Sequence, residues 1–275
     1  KAIADLEKTL GVRLLDRSRQ GVEPTPYGLA LIKRGSVVFD ELRQGVHDIE
    51  SLADPTTGEL RIGATEPVAA SIIAPVLDRL SRQYPRMAFS VSVDSTSKLQ
   101  RDLGERKFEL AIARTTGDMA ADQVGETLFH DELVVVAAAG NPLTRRRRVS
   151  LADLLVEPWT LWPFDNYIGS LAAEAFRSNG LEPPRLTIST NSVNLINILL
   201  ATERFLTILP SFSLSLPRKH PLLRALPIPL PETRRPIQII TSKNRMLSPL
   251  AQLFIDRVRD ITKPLAEPAQ LRSKS

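Results

Sequence analysis

The chain has 275 residues, and its 36 basic against 31 acidic groups give a net charge of +5. Hydrophobic residues make up 43% of it, which excludes extended disorder, and the length suggests about two domains or lobes. With no cysteine and only three histidines (His47, His130, His220), disulfide scaffolds, thiolate metal sites, cysteine nucleophiles and a multi-histidine metal centre are excluded, and no cofactor is expected.

Residues 1–10 read as a helix with Ile3, Leu6 and Leu10 on one face, stopped by Gly11. Val12 to Val22 reads as a short hairpin with Gly21 in its turn. Thr25 then caps a long helix that Pro26 opens and that runs to Ala53. Its stripe of Leu31, Val38, Leu42, Val46, Ile49 and Leu52 is one-sided, and at 1.5 Å per residue it spans roughly 40 Å. That length suits a linker or a dimer seam better than a surface helix. Asp54-Pro55-Thr56-Thr57-Gly58 marks the clearest boundary in the chain.

Beyond Gly58 strands and helices alternate. Strands are expected near Leu60–Ala64, Met87–Val93, Leu110–Ala113, Leu133–Ala138, Trp159–Trp162, Leu186–Ser189, Phe205–Leu209, Leu223–Ile228 and Ile237–Thr241. Helices are expected over 71–83, 96–105, 167–179, 194–201 and 248–261, with one helical turn at Leu151–Leu155. This order predicts an α/β fold with a mostly parallel sheet and helices on both faces. The segment from Pro264 onward is polar and reads as a disordered tail.

Charge is unevenly spread. Residues 1–28 carry only +1, whereas 218–245 carry +6, and Arg145–Arg148 are four arginines in a row. That run follows Asn141-Pro142-Leu143 and reads as a solvated loop rather than a nucleic-acid patch. No apolar run is long enough to span a membrane, and the start lacks a signal-peptide pattern, so a cytoplasmic protein is expected. The chain begins with Lys1 rather than Met and reads as a fragment.

The opening Lys1-Ala2-Ile3-Ala4-Asp5-Leu6-Glu7-Lys8-Thr9-Leu10-Gly11-Val12-Arg13-Leu14-Leu15-Asp16-Arg17 resembles the end of the recognition helix of LysR-type transcriptional regulators. Val22-Glu23-Pro24-Thr25-Pro26-Tyr27-Gly28 resembles that family's wing and the start of its linker helix. Gly58-Glu59-Leu60-Arg61-Ile62-Gly63, Leu110-Ala111-Ile112-Ala113-Arg114 and Leu247-Ser248-Pro249-Leu250-Ala251 are similar to elements of its effector domain. The likeness extends to about residue 262 and includes the sugar-responsive branch of regulators of a galactose-binding protein.

The resemblance implies a partial winged helix-turn-helix (1–25), a dimerising linker helix (26–56), an effector-binding domain (57–265) and a tail (266–275). The effector domain would be two-lobed, like a type II periplasmic binding protein, with lobe I at 58–138 and 231–263 and lobe II at 139–230. It implies double-stranded operator DNA, a small-molecule effector and self-association as dimer or tetramer, with no membrane partner. Two departures stand out: Leu15 where the family often has Phe, and Thr202-Glu203-Arg204 where it has a glycine-rich turn. The family's first two helices and the start of its recognition helix are not in this chain, so the part that chooses bases is missing. The chain is therefore expected to bind effector without recognising an operator alone. Lys1, Arg17, Arg19 and Thr25 remain as candidate phosphate contacts, or Arg17 and Arg19 are plain surface charges.

Ligands of open α/β sheets sit beyond the carboxyl ends of strands, where helix starts present free N–H groups. That rule selects Thr65, Glu66, Ser95, Thr96, Ser97 and Arg114 in lobe I, and Phe164, Asn166, Asn191 and Ser192 in lobe II. Ser95, Thr96, Ser192 and Asn166 are alternatively helix caps. Trp159 and Trp162 read as core, and Phe164 as a stacking platform. Hydroxyls and amides beside one acid, Glu66, and one base, Arg114, favour a sugar or sugar acid, then an organic carboxylate. The two-lobed fold also fits a transporter's solute-binding protein. An enzyme is disfavoured: no GxxxxGK loop, GxSxG elbow or telling carboxylate pair is present.

Overall fold

The computed structural model describes residues 2–18, 21–53, 57–185, 188–216, 220–243 and 245–266, with the backbone alone at 36, 44, 47, 48 and 50–53. Helix α1 (Ala2–Leu10) ends at Gly11, whose φ of +69° is the left-handed stop expected of glycine. Glu7 on α1 accepts the backbone N–H groups of Leu14 (2.7 Å) and Leu15 (3.1 Å), which closes the helix onto the following hairpin. That hairpin pairs β1 (Leu15–Ser18) with β2 (Gly21–Pro24). The long helix α2 (Pro26–Ala53) matches its expected bounds. The described side chains of its stripe, Leu31, Val38, Leu42, Val46 and Ile49, are all exposed, and Leu52 lies outside the described side chains.

Two sheets follow. In lobe I, β3 (Thr57–Ala64) lies between β4 (Arg86–Val93) and β5 (Leu110–Arg114), parallel to both. Then β12 (Arg235–Ser242) returns antiparallel, between β5 and β6 (Gln123–Asp131). The sheet is thus mixed, not mostly parallel. The missing piece in the sequence reading was β6, whose polar alternation Gln123-Val124-Gly125-Glu126-Thr127 hides a strand that has an exposed face.

In lobe II, β7 (Leu133–Ala138) is flanked antiparallel by β10 (Leu206–Pro210) and β11 (Leu223–Ala225). A parallel pair, β8 (Thr160–Leu161) and β9 (Ile188–Ser189), joins it through a bridge from Trp159 to Leu206. Because β7 belongs to this second sheet, the chain crosses between lobes at Asp131–Leu133, not after residue 138. An unbroken apolar run hid the crossing: the pattern of β7 gives no sign of which sheet it joins.

The helices begin at the cleft ends of these strands. After β3 a helical run starts with α3 (Glu66–Val68), passes a π-helical turn (Ala69–Ile73) and continues as α4 (Ala74–Gln83). It starts five residues earlier than the periodicity suggested, since Pro67 sits comfortably in a first turn. Helix α5 (Thr96–Gly104) follows β4; α6 (Tyr167–Ser178) and α7 (Val193–Leu200) follow β8 and β9. Helix α8 (Pro249–Ala266) packs Phe254, Ile255 and Val258 onto lobe I. It runs through Pro264 to Ala266, where a tail was expected, because Leu265 still packs against the core; residues 267–275 lie outside the described residues.

Each lobe has its own core. Leu60, Ile62, Ile72, Ile237 and Phe254 anchor the first; Trp159, Phe176, Leu161 and Ile208 anchor the second. One segment crosses over: Phe212, after β10, seats in the lobe I core and meets the Phe129 ring edge-on at 5.7 Å.

Candidate functional site

Between the lobes lies a cavity of about 880 Å³, within the size range of small-molecule sites. Four helix starts supply its walls: α3 and α5 from lobe I, α6 and α7 from lobe II. Eight of the ten residues selected from the sequence line it: Thr65, Glu66, Ser95, Thr96, Arg114, Asn166, Asn191 and Ser192.

The caps of the two lobes differ. Asn166 Oδ1 accepts from the Ile168 N–H at 2.9 Å, and Ser192 Oγ from the Leu195 N–H at 3.2 Å, so both side chains cap their helices. Asn166 Nδ2 also reaches Asn191 Oδ1 at 3.4 Å. Thr65 and Ser95 hold the extended cap backbone, yet neither side chain caps. Ser95 Oγ lies 3.4 Å from Ser97 Oγ. Thr96 donates to the Arg114 carbonyl at 3.0 Å, tying the start of α5 to the end of β5. Gly169 allows α6 to start so close to the cleft turn: a Cβ there would lie 2.1 Å from the Pro163 carbonyl oxygen.

Arg114 lines the cavity, but its charge is committed. Nη1 donates to the carbonyls of Asp131 (2.8 Å) and Thr233 (3.3 Å), and Nη2 bonds the Asp131 carboxylate. Asp131 also accepts from the Ser211 hydroxyl and from the Phe212 N–H at 3.0 Å. Burial lifts the Asp131 carboxyl above its ordinary range, against these partners, and lowers the Arg114 guanidinium. Among the lobe I wall residues, acids set the charge: Glu66, and Asp94, whose carboxylate pairs with Lys98 at 2.8 Å and is held below the usual carboxylate range by it.

Two selected residues are placed elsewhere. Ser97 points to Ser95 rather than into the cavity, and Phe164 packs back onto the lobe II core. Trp162 is buried among Val136, Ile196 and Leu200, as read from the sequence, and it also borders the cavity, as do Tyr167 and Phe212. Trp159 is fully buried in the larger lobe II core. Sequence reasoning also missed Asp94, Tyr167, Asn194 and Asn197. The two asparagines had a signal: they stand one turn apart on a helix that is otherwise apolar.

Outside the cleft, Arg17 is exposed on β1, while Lys1 and Arg19 lie outside the described residues. The Thr25 hydroxyl is already used: it donates to the Arg13 carbonyl at 2.7 Å and caps Gly28 N–H at 3.1 Å. Arg145–Arg148 are exposed beside the 3-10 turn after β7, in lobe II. Among the described residues no helix is long and apolar enough to cross a membrane.

Residues 53–263 match the model of the LysR substrate binding domain. The chain is 29% identical over 194 residues to the HTH-type transcriptional regulator GbpR of Azospirillum brasilense, covering 70% of this chain and 57% of that protein. It is 26% identical over 262 residues to the transcriptional dual regulator GltC of Bacillus subtilis, covering 94% and 85%. Among solved structures it resembles full-length OxyR from Pseudomonas aeruginosa, with a TM-score of 0.67, 20% identity and coverage of 96% and 84%.

Proposed function

The chain belongs to the LysR family through its substrate binding domain at residues 53–263, and on that premise we propose that it is a ligand-responsive, DNA-binding transcriptional regulator. Both curated relatives described above are named as transcriptional regulators, and regulators of this kind are not enzymes. The same relatives disfavour a transporter's solute-binding protein.

One observation carries the ligand class: helix starts from both lobes converge on one cavity whose lobe I wall is acidic. Free N–H groups at helix starts suit a carboxylate. Glu66 opposes a purely anionic ligand and suits hydroxyl donors, whereas Asp94 is already paired with Lys98. The amides of Asn191, Asn194 and Asn197 both donate and accept. With Arg114 spent on Asp131, a simple dicarboxylate lacks a counter-charge in the lobe I wall. A polyhydroxylated acid satisfies every wall, so a sugar acid is favoured, with a neutral sugar and then an organic carboxylate after it. The same reading would put the chain in the family's sugar-responsive branch.

The hairpin β1–β2 with Arg17 takes the wing's position beside operator DNA, making sequence-independent phosphate contact. The apolar side chains exposed along α2 serve self-association as dimer or tetramer. A thermal-shift panel tests the ligand class, with galactarate and gluconate, then galactose and arabinose, then benzoate and citrate. Stabilisation by the sugar acids is expected; stabilisation by benzoate or citrate alone would reverse the order, and none by any compound would overturn the reading.

A further inference from the structure

Asp40 stands midway along α2 and is buried, whereas most described side chains of that helix are exposed. Three arginines of lobe I close on it. Arg106 Nη1 lies 3.0 Å from Oδ2, Arg245 Nη2 lies 3.2 Å from it, and Arg61 Nη2 lies 3.9 Å from Oδ1. Arg106 also pairs with Glu41 at 2.7 Å, and Arg245 Nη1 donates to the Phe108 carbonyl at 2.9 Å. The side chains of Asp40, Arg106 and Arg245 are only 5%, 11% and 4% exposed, so salt screens this cluster weakly.

The arginines come from separate places: Arg61 from β3, Arg106 from the turn after α5, and Arg245 from beyond β12. Arg106 has a φ of +59°, directly after the α5 C-cap Glu105, where glycine is the favoured residue. The left-handed turn is set by the helix-stop bonds from the Arg106 N–H to the Leu103 carbonyl and from the Lys107 N–H to the Asp102 carbonyl (3.0 Å each), so arginine stands where glycine would cost less. At its other end α5 begins in the cavity wall, with Ser95 and Thr96. Ion pairs run along it from Asp94 to Lys98 (2.8 Å), Lys98 to Asp102 (3.0 Å) and Asp102 to Lys107 (2.8 Å), next to Arg106.

We propose that Asp40 is a latch that locks the linker helix α2 to lobe I, and that α5 joins the ligand cavity to this latch. Asp40 and Arg106 are positioning residues: they fix the angle at which α2 leaves the effector domain. Removing the carboxylate leaves buried arginines without a counter-charge, which favours undocking of α2. The lobe cores do not draw on α2, so they stay folded.

The chain has no cysteine, so Arg43→Cys on α2 and Arg79→Cys on α4 admit two nitroxide labels and no others. Double electron–electron resonance, with labelled chain diluted in excess unlabelled chain, should give one narrow distance. Asp40→Asn should broaden or shift it, and Asp40→Glu should largely restore it. Arg106→Gly is the second variant: glycine suits that φ, so it removes the side chain without adding strain. Circular dichroism checks that each variant keeps its folded lobes. A broad distribution in the parent, or unchanged distances in the folded variants, would overturn the latch. Lys98→Met should speed amide exchange in α2 around Asp40; unchanged exchange would overturn the α5 route.

Discussion

Arg114 and Asp131 form one buried ion pair at the ends of β5 and β6, where the chain passes from lobe I to lobe II. Through Ser211, Phe212 and Thr233 the pair holds the returning segments at the same point. Arg114→Met leaves a buried carboxylate without its cation and should cost about 3–5 kcal/mol. The double variant Arg114→Met/Asp131→Leu should lose less than the Arg114→Met variant, since no charge is stranded. Urea unfolding of the four species measures this; a double variant as unstable as the sum of the two single losses would show that the two residues act independently.

The two kinds of helix start respond differently to loss of a hydroxyl. Ser192→Ala removes a capping bond and should cost about 1 kcal/mol of stability. Ser95→Ala removes none, so stability should stay within about 0.5 kcal/mol of the parent. Its effect should appear instead as an effector affinity weakened about fivefold, one net hydrogen bond. Equal destabilisation by both changes would mean that Ser95 is a cap after all.

Glu203 has a φ of +60° where the family carries a glycine-rich turn. Glu203→Gly should stabilise the chain by about 1 kcal/mol, because the left-handed backbone costs a side-chain-bearing residue that much. The bond from Asn141 Nδ2 to the carbonyl of residue 203 (2.8 Å) is to backbone and survives. Thermal unfolding checks it; a lower midpoint would show that the carboxylate against Gly140 is stabilising.

Lys98 holds Asp94 below the ordinary carboxylate range; Lys107 and then Lys98 do the same for Asp102. A depressed carboxyl favours the folded state above its unfolded value, about pH 4, and the benefit disappears as pH falls through the folded value. Lys98→Met should therefore be less stable than the parent at about pH 6, and the gap should close near about pH 3. The gap is small, since Lys98 and Asp94 are partly exposed. Urea midpoints against pH report it, and a gap independent of pH would place the loss in packing.

Much of the architecture was legible in local pattern. Helix bounds such as Pro26–Ala53 follow from a Thr-Pro start, and eight of the ten residues the strand-end rule selected line the cavity because helix starts sit beside strand ends. What failed was non-local. Whether β7 joins the first or second sheet depends on partners far away in sequence. Arg114 looked like a free cation, yet Asp131, on a strand the alternation concealed, had claimed it. Phe164 looked like a stacking platform because it lies outside the alternation of Trp159 and Trp162, yet it packs onto the lobe II core, a contact that no local pattern announces.

The most direct measurement is isothermal titration of galactarate into the parent and into Thr65→Val/Ser95→Ala. The parent should bind, and the double variant should bind about tenfold more weakly while its unliganded unfolding midpoint stays the same. Equal affinity in both, or no binding to the parent, would contradict an effector site at the convergent helix starts between the lobes.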